Sequence, residues 1–262
     1  MTYSVYDISS YSLLFFSLIL LVPIAIDRYL DAKLIKSSLF SALRMIIQLI
    51  FVGFYLTYVF ELNSIIINIA WILIMIAVAN FSVLNHTGLK IKNFFIVNYF
   101  IYVLTVVLIQ TAMLVVFDAN TVFHSRYIIP LEGMILGNLL KCNIIGINSF
   151  FSEIKKRKDE YILYISLGAS PNEALKVFWK SAYKAAIQPQ LASLATIGLV
   201  ALPGMMTGQM LGGSDPLTAV KYQILIMLAI FSSASFSLFL NLYYSRKMTV
   251  DSFGRIRDDI YR

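Results

Sequence analysis

The chain carries one cysteine, Cys142, in 262 residues, which excludes an intrachain disulfide and any thiolate cluster. A lone cysteine in an apolar stretch is normally a small buried hydrophobe. Histidine is almost as scarce: His86 and His124 are far apart, and the topology below puts them on opposite membrane faces, against a histidine metal site within one chain. Charge is sparse too, at 13% of residues, about half the share of a soluble domain. No glycine is followed by lysine, so a P-loop is absent; if ATP drives this protein, a second subunit binds the nucleotide and its magnesium. No nucleophile, histidine and carboxylate converge on one face, which argues against an enzyme. No positive charge precedes the first apolar run in Met1 to Ser10, so the start reads as an anchor rather than a secretory signal.

What is present is apolar sequence in long blocks, 59% of the chain. Their length points to lipid as the solvent and to an all-α membrane protein. Seven spans are predicted: Tyr11 to Ile26, Leu39 to Phe60, Ile65 to Leu84, Phe94 to Phe117, Ile128 to Phe150, Leu191 to Met210 and Leu217 to Tyr244. With the amino terminus outside, all of the 21 basic residues except Arg126, Lys141 and Lys221 fall on the inner side. The net charge of +7 is then explained by anionic lipid and needs no nucleic acid. The whole chain, 1–262, reads as one polytopic domain with a cytoplasmic tail at 245–262.

The longest polar interruption, Phe151 to Gln188, becomes cytoplasmic on this topology. It holds Lys155, Lys156, Arg157 and Lys158 and, further on, Lys176, Lys180 and Lys184. Its centre, Leu167-Gly168-Ala169-Ser170-Pro171-Asn172-Glu173-Ala174, predicts two helices joined by a tight turn. Gly168 can take the left-handed conformation that stops a helix. Ser170 then caps the next helix, with Pro171 at its first position and Glu173 completing a capping box. The lysine stripe at 176, 180 and 184 faces lipid headgroups, an acidic protein surface or solvent.

Polar residues inside spans must pack inward or line a cavity. The fifth span holds Glu132, Met134, Asn138 and Lys141. Glu132 and Lys141 lie on opposite sides of a straight helix, so they do not pair. Glu132 either reaches the outer interface or belongs to a pathway. Gly133 with Gly137, and Gly204 with Gly208 and Gly212, have the spacing for close helix packing. Pro203-Gly204 must break or kink the sixth span, and broken helices at such depths often build transport sites. Pro203, Gly204, Met205, Met206 and Gln209 are therefore candidates for a path or gate. Met134, Met205 and Met206 could offer soft thioether ligands to a metal, though apolar filler is their commoner use.

The stretch Glu160 to Ala174, followed by Pro189, resembles the coupling loop of ABC-transporter membrane subunits. Its acidic residue differs in place: Ile162 stands where importers have glutamate, and Glu160 comes two residues early. A resemblance to the iron-export ABC permease family, which is FetB-like and includes plant aluminium-tolerance permeases, covers nearly the whole chain. It rests on Arg44-x-x-x-Gln48-Leu49, Pro130-x-x-Gly133-Met134-x-x-Gly137-Asn138, Leu167-Gly168-Ala169-x-Pro171, Gly198 through Pro203-Gly204-Met205-Met206 to Gly208, and Asp215-Pro216 through Lys221-Tyr222-Gln223. The resemblance implies a permease in a bacterial inner or plasma membrane, working as a homodimer with a separate ATP-binding subunit. Glu160, Leu167, Gly168, Ala169, Ser170, Pro171, Glu173 and Ala174 would form its docking elbow. The implied cargo is a metal ion such as iron; a nucleotide sugar or other metabolite is the alternative, as is an ion-gradient-driven secondary transporter.

Overall fold

The structure, a computed structural model, describes residues 8–88, 91–251 and 254–257. Lys90, Arg262, most of the Met1 to Ser10 stretch and part of the 245–262 tail lie outside the described residues, as does the Lys92 side chain. Among the described residues the regular structure is helical: α1 (Ser10–Phe16), α2 (Leu21–Leu30), α3 (Ile35–Leu62), α4 (Ile65–Thr87), α5 (Ile91–Met113), α6 (Ala119–Val122), α7 (Ser125–Lys156), α8 (Lys158–Ser166), α9 (Pro171–Thr196), α10 (Gly204–Leu211) and α11 (Pro216–Thr249). A 3-10 turn at Ser17–Leu20 joins α1 to α2.

Among the described residues, six segments are long and apolar enough to cross a membrane: Ser10–Leu30, Ile35–Leu62, Ile65–Thr87, Phe94–Met113, Ser125–Lys156 and Pro216–Thr249. The expected sixth span, Leu191 to Met210, is broken at Pro203-Gly204 as expected, but over more residues than a kink. α9 passes through Pro189 and ends at Thr196, and α10 starts only at Gly204. Between them Gly198 sits at φ +87° and Pro203 caps α10, so the backbone leaves the helix and returns across a seven-residue connection, 197–203. The other ends shift as well. α7 runs on past Phe150 to Lys156, so the charged stretch begins inside a helix instead of breaking one.

The bundle is built around α7, which packs against α4, α9 and α11, with α5 against α4 and α11. Its main core joins Val83, Tyr102, Leu139, Ile147, Phe150, Phe178 and Leu238 from these helices. Phe94 of α5 meets Phe151 of α7 and Tyr244 of α11 edge-on, at 6.2 and 5.7 Å between centroids. α1 and α2 bury no side chain and α3 buries Val59. The apolar surfaces of α1 and α2 face outward all round, as suits helices solvated by lipid, while α3 turns Tyr55, Leu56 and Val59 toward the bundle.

Among the glycines of the long helices, Gly146 is packed tightly. A Cβ on Gly146 would run into the Leu238 side chain and come within 3.3 Å of Ala186 Cβ. The glycines expected to serve packing are otherwise placed: a Cβ on Gly137, Gly204 or Gly208 would meet nothing within 4 Å, and one on Gly133 would only touch Met75 at 3.6 Å. Close approach of α7, α9 and α11 thus uses Cys142 and Gly146 against Ala186 of α9 and Gly146 against Leu238 of α11, with the two small residues of α7 spaced by four. The same spacing stands in the sequence, where the glycine pairs are more conspicuous.

A buried polar ladder also joins α7 to α11. Asn143 Nδ2 donates to Ser237 Oγ at 2.9 Å, and Asn241 Nδ2 donates to Asn143 Oδ1 at 2.7 Å. Ser233, Ser237, Asn241, Ser245 and Thr249 recur every four residues and are all buried. Such a stripe in a span marks the face that leaves lipid.

Candidate functional site

Two places carry chemistry. The first is the elbow between α8 and α9. Ser170 Oγ accepts from the Glu173 N–H at 3.4 Å, and Glu173 Oε2 accepts from the Ser170 N–H at 2.9 Å and from Ser170 Oγ at 2.6 Å. The expected capping box is therefore complete. Gly168 takes φ +91°, and the N–H groups of Gly168 and Ala169 donate to Ile165 O and Tyr164 O, closing α8. Leu167, Gly168 and Ser170 are exposed, Ala169 and Pro171 partly so, and Ala174 turns into the core.

Glu160 does something its place in the sequence does not suggest. Arg157, at the corner between α7 and α8, donates to both Glu160 oxygens at 2.7 Å and to Glu153 at 3.1 Å. Its guanidinium also lies 5.2 Å over the Phe178 ring of α9. One side chain thus ties three helices together. The two hydrogen bonds from Arg157, aided by one from Tyr164, hold the Glu160 carboxyl below the usual carboxylate range. Glu173 is held low chiefly by its bonds with Ser170. On the other side of the elbow, Tyr161 Oη donates to Gly254 O at 2.7 Å, and Gly254 lies so near Pro171 that a Cβ would come within 3.2 Å of its ring. Val250 and Ile256 bridge, so the tail braces the elbow.

The second place is a cleft of about 270 Å³ at mid-bundle. Asn138, Lys141, Cys142 and Ile145 of α7 line it, with Ala186, Pro189, Gln190 and Ser193 of α9 and Met227 and Ile230 of α11. Asn138 Nδ2 donates back to Met134 O at 2.8 Å, which stiffens the turn that presents it. Pro189 lacks an N–H, so the Ala185 carbonyl one turn earlier has no helical donor. Met134 and Met205 meet in one apolar cluster, joined by Met113 and Met227, which no motif in the sequence marks. Met206 is outside that cluster. Gln209 keeps a buried Oε1 with no partner.

Glu132 is not part of this face. It is fully buried on the opposite side of α7, where Gln110 Nε2 of α5 donates to its Oε1 while Oε2 has no partner. It does not reach the outer interface. Among the described residues no three or more His, Cys, Asp or Glu side chains gather where they could hold a metal ion.

The order of motifs along this helical membrane chain has a counterpart in known proteins. The model of the family described as uncharacterised protein family UPF0014 matches residues 10–249. The chain belongs to that family. It is 30% identical over 247 residues to the "Probable iron export permease protein FetB" of Escherichia coli strain K12, covering 94% of each chain. It is 33% identical over 215 residues to the "UPF0014 membrane protein YjkA" of Bacillus subtilis strain 168, covering 82% of this chain and 85% of that one. It is also 27% identical over 229 residues to "Protein ALUMINUM SENSITIVE 3" of Arabidopsis thaliana, covering 86% and 81%. No solved structure matches it. A multi-pass membrane protein of a permease family is what the helices and these relatives together establish.

Proposed function

We propose that the chain is the membrane permease of an ABC-type exporter, powered by a separate ATP-binding subunit that carries ATP and magnesium. Two copies form the pathway. The reading takes seven crossings with the amino terminus outside, the second half of α9 and α10 together making the sixth. One observation carries it. The helices that flank the capped elbow, α7 by way of α8 and α9 directly, run without interruption into the bundle and there line the cleft. At 32 and 26 residues they are rods of about 48 and 39 Å. A push at Leu167–Glu173 from closing ATPase subunits moves both walls of the cleft, a rigid-body route to alternating access. Pro203 and Gly204 would let α10 swing as the gate.

The name of the E. coli relative favours iron as cargo, with Met134 and Met205 as soft contacts on the way. A second reading has its own support: Lys141 with Asn138, Gln190 and Ser193 gives the cleft the character of a site for an anionic metabolite such as a nucleotide sugar. Reconstitution with the ATP-binding subunit decides between them. ATP hydrolysis stimulated by ferrous iron and unharmed by Lys141→Gln supports cation export. Stimulation by nucleotide sugars that Lys141→Gln abolishes supports the anion. Transport that persists without ATP and stops when ion gradients are dissipated would overturn the ABC assignment.

A further inference from the structure

The structure assigns a role to part of the lysine stripe: with Arg246 of α11, we infer that Lys176 and Lys180 form a discrete binding site for an anionic phospholipid. A groove of about 230 Å³ opens between α9 and α11, lined by Lys176, Trp179, Lys180, Tyr183 and Phe239. Its base is aromatic, with Trp179 and Phe239 at 5.4 Å between centroids. Its rim is cationic from two helices. The Arg246 guanidinium of α11 lies 5.7 Å over the Trp179 ring, beside Lys176 and Lys180 of α9. None of Lys176, Lys180, Arg246 or Lys247 is in a salt bridge among the described residues. The nearest carboxylate along α9, Glu173, spends its bonds on Ser170.

Among the described residues, two buried donors in this corner have no acceptor: Trp179 Nε1 and Arg246 Nε. Buried polar groups ordinarily have partners, so an acceptor is expected here. The corner sits at the basic end of α11, where tryptophan and tyrosine anchor a span at headgroup level. An acyl chain laid along Phe239 and Trp179 would carry a phosphate to the height of the lysines, whose stems run along apolar surface while their ammonium groups reach the headgroups. Lys184 does not line the groove, so the stripe is divided. This site rests on the membrane placement of the chain and is independent of what is transported.

The chain has two tryptophans. In a Trp71→Phe background Trp179 becomes the sole reporter, and Trp71 can be spared because its ring serves to stack on Tyr55. The protein is reconstituted in phosphatidylcholine vesicles in which either added phosphatidylglycerol or a matching share of phosphatidylcholine carries brominated acyl chains. Brominated phosphatidylglycerol is expected to quench Trp179 at a mole fraction about fivefold lower for each cation engaged. Lys176→Gln with Lys180→Gln should erase the preference, and Arg246→Gln should reduce it, with vesicle insertion unchanged. Equal quenching by the two lipids overturns the proposal. So does loss of the preference in excess inorganic phosphate, which would mean a free-anion site. So, too, do lysine variants that keep the preference but release the ATP-binding subunit, which would make the groove a protein-docking surface.

Discussion

Gly168 shows how much one residue can decide. Its φ of +91° lies where a side chain clashes with its own backbone, at a cost of about 1–2 kcal/mol. A Cβ at this position would meet no other heavy atom within 4 Å, so the strain is purely conformational. Gly168→Val should therefore insert and accumulate normally yet co-purify with much less ATP-binding subunit. Undiminished co-purification would remove the elbow from the docking role. The Arg157–Glu160 pair belongs to the same scale. The folded Glu160 carboxyl is held below its unfolded value, so its contribution is present at neutral pH and is lost only as pH falls through that lowered value. Protection of the α8 amides, measured relative to their intrinsic exchange rate at each pH, should stay flat from pH 8 to about 5 and then fall, while Glu160→Gln should show the lower protection already at pH 7. Because both groups are solvent-accessible, the effect is local to α8 and leaves the bundle intact.

At the scale of elements, the continuity of α9 matters more than its composition. A helix that passes from Ser170 to Thr196 transmits displacement only if its middle stays helical. Lys184→Gly with Ala185→Gly weakens that middle by about 1 kcal/mol per glycine without touching the elbow or the cleft lining. The expected outcome is normal retention of the ATP-binding subunit with substrate-stimulated ATP hydrolysis reduced several-fold. If stimulation is unchanged, α9 is not the lever. The elements also show what was readable. The capping box at Ser170, the stop at Gly168 and the polar centre of α7 follow from local chemistry and stand as expected. The break at Pro203-Gly204 was readable too, but its width was not, because a hydropathy window cannot see that Gly198 and Pro203 together divert a chain that Pro189 alone leaves helical. Asn138 was a path candidate and Lys141 a polar residue with no assigned role on the same helix, but Gln190 and Ser193 became visible only once α9 was laid beside them.

For the whole molecule, the single cysteine supplies a clean test of topology. Cys142 is buried with its thiol toward Ala186 O, so a membrane-impermeant maleimide should leave the native chain unlabelled. A cysteine placed at Ser166, exposed on α8, should label only from the side facing the ATP-binding subunit, and one at Asn120 only from the other. Labelling of both from one side would reverse or collapse the proposed arrangement. The amino-terminal helices, which bury almost nothing against the rest, leave the bundle free to move beside them.

By itself the sequence determined the solvent, the helical class and the capped elbow, because each depends on composition or on residues within one turn of each other. Tertiary structure decided which face of α7 each polar residue occupies relative to its neighbours. It buried Glu132 against Gln110 and left Asn138 and Lys141 open to the cleft. It also decided that the crowded glycine is Gly146. Those outcomes depend on side chains 22 to 98 residues apart meeting across helices, and nothing local in a chain of apolar helices specifies which of its faces will find a partner.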